Sequence, residues 1–371
     1  MIKVPKISVV IVGISGYAGL ELARLLLRHS FVHLKAGYTS QGDFQLSDAL
    51  AEEGAAKVPV FPLDPNPMDK SENSLLSFAK QGNLVFLATP AEVSSKWAPK
   101  LIQLRCNVID LSGAFRLSSA SAKKWYGAPE ETDGEFHRLL AQAEYGLIPW
   151  IGPSQTGSSV RGRLVANPGC YSTCTLMALL PLLQDGLIDP DSLVIDAKSG
   201  TTGAGRKAAQ NLLFSEVEGE CLPYKVGQHQ HYPEICEYAD KLAATKIEPF
   251  FTTHLLSIRR GMIASIYAKT SQNSGTVTLD KITSCYEKAY KDYPLAKALA
   301  LDSRSAYGLS LKRVVGSARV EIRFHLSGNK LTVFSLIDNL MKGAATQAVE
   351  NMNLIFDYPL TTGLTELEGL L

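Results

Sequence analysis

Ile7-Ser8-Val9-Val10-Ile11-Val12 runs into Gly13-Ile14-Ser15-Gly16-Tyr17-Ala18-Gly19 and on into Leu20-Glu21-Leu22-Ala23-Arg24-Leu25-Leu26-Leu27. The first run is almost wholly isoleucine and valine, as a strand buried on both faces requires. The third repeats apolar residues at helical spacing. Between them the glycines fall as GxxGxxG, where GxGxxG is the commoner fingerprint. They still permit a tight turn, close backbone approach to a pyrophosphate, and a helix N-terminus aimed at it. Strand, glycine turn and helix together predict a dinucleotide cradle lined by Gly13, Ser15, Gly16, Tyr17, Ala18 and Gly19. The plainer alternative, a structural βα turn, needs no ligand.

A second strand near His33 to Tyr38 ends in Thr39-Ser40-Gln41, with no Asp or Glu where a ribose 2′-hydroxyl is usually read. Hydroxyls and amides accept the oxygens of a 2′-phosphate and a carboxylate repels them, so the cofactor expected here is NADP and not NAD. Short apolar runs recur at Leu84 to Ala88 and Asn107 to Leu111, alternating with helical segments. That alternation predicts an α/β fold with a parallel, doubly wound sheet. Thr89-Pro90 then falls at a carboxyl strand edge, where such sheets bind their ligands.

At 371 residues the chain exceeds one ordinary core, and two domains are expected. Its formal net charge of +1 offers no electrostatic footprint for nucleic acid or an anionic membrane. No apolar stretch is long enough to span a bilayer. The N-terminal apolar run reads as a strand and not a signal peptide. Six scattered cysteines without CxxC spacing then point to thiols in a cytoplasmic compartment, an organelle reached through a removed transit peptide staying open.

The chemistry is expected at Asn167-Pro168-Gly169-Cys170-Tyr171, a tight turn opening a long apolar helix. With Asn167 as cap, Cys170 lies beside backbone N–H groups whose partial positive charge favours an ionised sulfur. A buried, inert thiol is the alternative reading. Cys174, one turn further on, is too constrained to bridge to Cys170. Lys198-Ser199-Gly200-Thr201-Thr202-Gly203-Ala204-Gly205-Arg206-Lys207 reads as a strand entering a glycine- and hydroxyl-rich loop closed by cations. Its N–H groups, hydroxyls and Arg206 are candidates for an anion. Ser112 and Arg116 after the Asp110 strand are a second candidate. In His229-Gln230-His231-Tyr232-Pro233-Glu234, the two histidines share a side if the segment is extended. Metal ligation lacks a third ligand at suitable spacing, so no metal is expected. One histidine is expected as the acid/base partner of Cys170, oriented by Glu234.

These segments, with Ile337-Asp338-Asn339-Leu340-Met341-Lys342-Gly343-Ala344-Ala345, resemble in order the N-acetyl-gamma-glutamyl-phosphate reductase family, arginine-biosynthesis relatives of aspartate-semialdehyde dehydrogenase. Gln230 stands where the family commonly has Arg, and Ala114 where many members carry Asp. The resemblance implies a Rossmann-type domain over 1–168 plus 338–371, with a C-terminal helix from Asp338 to about Asn353 returning to it. It implies an α+β catalytic domain over 169–337, with Cys170 at the junction facing the nicotinamide. The segments Thr252 to Lys269 and Val314 to His325 alternate like strands of an antiparallel sheet.

For mechanism, the resemblance implies attack by Cys170 on an acyl phosphate, a thioester, hydride from NADPH and release of a semialdehyde, with His229 preferred slightly over His231 for proton transfer. It adds Ser199, Gly200 and Asn339 as cofactor contacts, and Arg206, Arg116, Arg260, Ser112 and Asn167 as substrate contacts. The expected partners are a small acyl phosphate and further copies of the chain, as dimer or tetramer. Two alternatives stay open: a reductase acting on aspartyl phosphate or a carrier-linked acyl phosphate, and a catalytically silent NADP-binding sensor.

Overall fold

The structure is a computed structural model that describes residues 6–64, 74–80, 84–127, 134–152, 161–301 and 309–365. The chain divides into two compact units, one running through Pro168 and resuming at Ala344, the other from Gly169 to Gly343.

The first unit is built on a seven-stranded sheet. β1 (Ile7–Val12) leads through the glycine turn into α1 (Tyr17–Arg28) and β2 (Val32–Thr39). β3 (Val60–Pro62) and β4 (Leu84–Leu87) follow, then α2 (Ala91–Gln103), β5 (Asn107–Asp110), β6 (Glu144–Tyr145) and β7 (Leu164–Ala166). The spatial order is β3-β2-β1-β4-β5-β7-β6, and every pairing is parallel. Strand order reverses between β1 and β4, which opens a crevice at their carboxyl ends. β4 and β5 are buried at every position because helices cover both faces.

The second unit opens with α3 (Cys170–Gln184), whose residues from Tyr171 to Leu183 are all buried. A helix apolar on every side has to be a core element. Its sheet contains β8 (Val194–Gly200), β9 (Cys221–Pro223), β10 (Phe250–Leu256), β11 (Met262–Lys269), β12 (Ala296–Ala300), β13 (Val320–Ser327) and β14 (Lys330–Ile337), in the order β12-β13-β14-β11-β8-β10-β9. α4 (His231–Ala243) and α5 (Leu279–Tyr290) pack with α3. The sheet is mixed and not antiparallel throughout. β10 runs parallel to β8 and β12 parallel to β13, pairings that alternation within a strand cannot reveal.

The chain re-enters the first unit at Ala344, later than the 338 expected. Residues before it stay in the second unit because Asp338 and Asn339 are bonded there. The Asp338 carboxylate accepts from Gly316 N at 2.8 Å, and the Asn339 amide oxygen from Gly261 N at 2.9 Å. Asp338 also accepts the N–H groups of Leu340 and Met341, at 2.8 and 3.1 Å, as a cap does. The helix after it begins as a π-turn at Met341–Ala345 and continues as α6 (Thr346–Ile355).

Candidate active site

In the first unit the crevice is made by close backbone approach. Gly13 has φ 84°, and a Cβ added there would lie 2.3 Å from the Ala88 carbonyl oxygen. One added at Gly19 would lie 2.2 Å from the Gly13 oxygen. These two glycines weld β1, β4 and α1 together. Gly16 differs. It is the N-cap of α1, and the nearest atom to an added Cβ there is the Gly13 oxygen at 3.4 Å. The first turn of α1, opened by Tyr17 and Ala18, carries no acidic residue, so its N–H groups present an uncompensated positive end. A diphosphate fits this cradle.

Around it, Ser15 and Thr39 are buried and their hydroxyls bond each other at 2.7 Å. Thr39 also accepts Gln41 N at 3.1 Å, so Ser15 and Thr39 tie the glycine turn to the end of β2. Ser40 and Gln41 are exposed beside them. Across the crevice, the Thr89 hydroxyl bonds Ser94, and Pro90 caps α2.

Ser112, Arg116 and Asn167 form a buried network in the same unit. Asp110, which the sequence reading passed over, is its centre. Its carboxylate accepts Ser112 N at 3.0 Å and Ser112 Oγ at 2.8 Å, and burial pushes its pKa up against those bonds and the Arg116 charge. Arg116 donates to the carbonyls of Asn167 at 2.7 Å and Leu111 at 2.6 Å. The Asn167 side chain donates to Ala344 O at 3.2 Å and accepts from Asn351 at 3.3 Å. Asn167 is therefore not the cap of the Cys170 helix. That position belongs to Gly169, without a side-chain cap bond, because the Asn167 amide is used two residues before the helix can reach it.

In the second unit Cys170 is the first residue of α3 and half-buried. The residue before it is gripped from α4. Gly169 N–H donates to Glu234 Oε1 at 2.8 Å, and a Cβ on Gly169 would lie 2.3 Å from His231 Nε2. His231 and Glu234 are three residues apart at the start of α4, so they share a helix face, and that face meets Gly169. The histidine segment is not extended. Gln230 is helical, with φ −61° and ψ −18°, and His231 N donates to His229 Nδ1 at 3.1 Å.

That bond fixes the tautomer of His229 and starts a chain of hydrogen bonds. With Nδ1 accepting, Nε2 carries the proton and faces the Tyr224 hydroxyl at 3.4 Å. Tyr224 donates to Tyr171 at 2.9 Å, and Tyr171 to His254 O at 3.5 Å. Burial, then the charges of His231 and Lys225, push the His229 pKa down to about 2. His229 is thus neutral across the working pH range and holds the backbone of His231. Tyr224 was missed from sequence, although it lies five residues before His229.

The start of the glycine-rich loop uses its backbone N–H groups within the fold. Gly200, Thr201 and Thr202 donate their N–H groups to the carbonyls of Gly261, Ile258 and Arg259. The Thr202 hydroxyl bonds Arg259 O at 2.6 Å and accepts from Asn339 at 3.0 Å. Ser199 is buried, with its hydroxyl on Gly200 O. The loop instead folds onto the turn before β11 as a short 3₁₀ segment, leaving Arg206 exposed after it. Arg260 lies 3.7 Å from the Asp338 carboxylate. Cys174 donates to Ser335 O at 3.2 Å, and burial raises its pKa to about 12. Among the described residues no helix is long and apolar enough to cross a membrane, and no cluster of three His, Cys, Asp or Glu is placed to hold a metal ion.

Comparison with known proteins matches both units. Residues 8–152 match the family described as semialdehyde dehydrogenase, NAD binding domain, and residues 170–339 the semialdehyde dehydrogenase, dimerisation domain. The chain is 39% identical to the N-acetyl-gamma-glutamyl-phosphate reductase of Geobacillus stearothermophilus, over 97% of this chain and 98% of that one. It is 37% identical to the reductase of the same name from Brevibacillus brevis, over 96% and 98%. In fold it is similar to aspartate semialdehyde dehydrogenase II of Vibrio cholerae, with TM-score 0.66 at 15% identity over 95% of this chain and 98% of that one. The NADP complex of aspartate semialdehyde dehydrogenase from Candida albicans gives TM-score 0.66 at 13% identity, over 98% and 100%. Near full-length identity of this order means that the chain belongs to the N-acetyl-gamma-glutamyl-phosphate reductase family.

Proposed function

We propose that this chain catalyses the NADPH-dependent reductive dephosphorylation of N-acetyl-L-glutamyl 5-phosphate to N-acetyl-L-glutamate 5-semialdehyde and phosphate, a step of arginine biosynthesis. The observation that carries the reading is the Gly169–Cys170 corner, where a half-buried thiol begins a buried helix with His231 and Glu234 on the preceding residue.

Cys170 attacks the acyl carbon as thiolate, the C–O bond to phosphate breaks, and a thioester forms. The N-terminus of α3 stabilises negative charge on Sγ, and then the oxyanion that develops at the carbonyl. When NADPH is bound it supplies the hydride that reduces the thioester to a thiohemiacetal. As that collapses, the C–S bond breaks and the aldehyde leaves. We assign proton transfer at these steps to His231, whose Nε2 lies against Gly169, and not to His229, which burial keeps neutral and which accepts the His231 N–H. Glu234 positions the corner through Gly169 N–H.

For the cofactor, Gly13, Gly16 and Gly19 with Tyr17 and Ala18 would hold the diphosphate and Ser40 and Gln41 would meet the 2′-phosphate, while Ser15 and Thr39 fix the turn between them. Thr89 and Pro90 close the crevice. Ser199, Gly200 and Asn339, expected as cofactor contacts, are assigned to building the loop near Thr202. Arg206 and Arg260 are the phosphate and carboxylate candidates, with Arg116, Ser112 and Asn167 shaping the first unit's edge. A homo-oligomer, as dimer or tetramer, fits the dimerisation-domain match, and six thiols fit a cytoplasmic setting.

The test runs the reaction in reverse, with N-acetyl-glutamate 5-semialdehyde, phosphate and NADP. Wild type should form NADPH only when phosphate is present, and Cys170→Ala should lose at least about 10⁴-fold in kcat. Turnover of aspartate semialdehyde or a carrier-bound aldehyde in its place would replace the substrate and keep the mechanism.

A further inference from the structure

Gly343, 173 residues further along the chain, lies against Cys170. A Cβ added to Gly343 would lie 2.7 Å from Cys170 Cβ and 3.3 Å from its Cα. Glycine is not needed there for backbone reasons, since its φ lies outside the left-handed region and the residue is in a helical turn, where alanine is otherwise preferred. The missing methyl therefore serves the contact with the nucleophile.

The segment carrying Gly343 is anchored on every side within the second unit. Gly343 N–H reaches back five residues to Asp338 O at 3.0 Å, the bond of a π-turn. Asp338 is fully buried, with its carboxylate on Gly316, Leu340 and Met341. Asn339 joins the turn to Gly261 and Thr202. Lys342, also fully buried, donates to the Tyr293 hydroxyl and lies 5.1 Å from the centre of that ring. Holding a lysine head at such depth is costly unless it is bonded, and the Tyr293 contact is one of the bonds that hold its stem beside Gly343.

We propose that Asp338–Gly343 is a positioning strap for the nucleophile: anchored through Lys342 on Tyr293, it presses Gly343 against Cys170 and so limits where the sulfur can point. This rests on the reading of Cys170 as the attacking group. Gly343 and Lys342 touch neither acyl phosphate nor the departing phosphate in that reading. Their effect is on the geometry of attack, in which a misplacement of about 1 Å costs on the order of 10²-fold in rate.

The experiment measures kcat, KM for NADP and for the aldehyde, thermal midpoint, and the iodoacetamide alkylation rate of Cys170 by peptide mapping. Gly343→Ala is expected to lower kcat about 100-fold with both KM values within about threefold, to change the Cys170 alkylation rate at least about 10-fold, and to lower the thermal midpoint by a few degrees, as overpacking does. Tyr293→Phe keeps the ring and removes only the hydroxyl. It is expected to shift kcat and alkylation together, about 10-fold, and it decides the matter if Gly343→Ala does not fold. The strap is overturned if Gly343→Ala, or Tyr293→Phe in its place, keeps kcat and alkylation within threefold of wild type. It is equally overturned if losses in kcat are matched by rises in both KM values with alkylation unchanged. A fully active Cys170→Ser would overturn the nucleophile itself, whereas an inactive Cys170→Ser beside an active Gly343→Ala removes the strap alone.

Discussion

Gly16 and Gly169 stand at the same place in two unrelated helices. Each is the N-cap of its helix, with φ −76° and ψ 163° at Gly16 and φ −70° and ψ 150° at Gly169. That backbone is open to any residue, so neither is glycine for conformational reasons. A methyl on Gly16 points at space bounded by one carbonyl oxygen at 3.4 Å, while a methyl on Gly169 strikes His231 Nε2 at 2.3 Å. One glycine borders open space, which our reading gives to the cofactor, and the other keeps room for the chain's own imidazole. The first unit thus offers a cradle, and the second a machine already in contact with itself.

The harshest way to break this comparison is Gly169→Ala. The methyl has to displace His231 or shift the start of α3, and either alters the corner to which we assign proton transfer. We expect kcat to fall by about 10² to 10³, with KM for NADP unchanged, in steady-state kinetics of the reverse reaction. Retention of kcat within a few-fold would mean that His231 does not have to lie where it does, and would return the proton-transfer role to His229.

The comparison also shows how far each region could be read from sequence. The cradle is written within thirteen residues, since β1, the glycines and the first turn of α1 are consecutive and each obeys a local rule. The strand, glycine turn and helix were therefore legible, and so was the parallel sheet around them. The corner is written across the chain, with Cys170 in one segment, His231 and Glu234 in another and Gly343 in a third. The motifs named the participants but not the pairings. Whether His229 or His231 lies against Gly169 depends on Gln230 being helical, and two histidines spaced by one residue leave that undetermined. Asn167 looked like a cap because Asn caps helices, yet Asn351, 184 residues later, takes its amide first. Thr201 and Thr202 looked like anion ligands because hydroxyls and glycines often are, yet the 258–261 turn uses them. In each case a partner remote in sequence outbid the local rule.

A gentler variant sharpens the contrast, because the corner holds a buried titratable group whose state can be read. The charged and titratable groups around His229 are His231, Lys225, Tyr224 and Tyr171. Its folded pKa, about 2, lies below the ordinary 6.5, so the unfolded chain takes up a proton that the folded one refuses. Its contribution to stability is therefore fully present above about pH 6.5 and is lost as pH falls below it. Between pH 7 and pH 5 the loss is about 2 kcal/mol, at 1.36 kcal/mol per pH unit. Denaturant midpoints of wild type and His229→Gln, taken at both pH values, should converge by that amount on acidification. Parallel curves would show that the imidazole is protonated inside the fold, and would undo its assignment as a neutral positioning group.

The smallest effect expected is at Gly16, and its value lies in what should not change. Alanine is compatible with the backbone there, relieves the unfolded chain of some freedom, and meets nothing closer than 3.4 Å, so folding stability should hold or rise slightly. The methyl would nevertheless stand where a diphosphate approaches the N-terminus of α1. KM for NADP should rise about 10-fold, or about 1.4 kcal/mol, with kcat and the Cys170 alkylation rate as in wild type. An unchanged KM would mean that the cofactor's phosphates sit elsewhere and that Gly16 is glycine by accident of descent. A fall in kcat with KM unchanged would be more damaging, because it would mean that a change in the cradle is felt at the corner, and that the two glycines do not serve separable tasks.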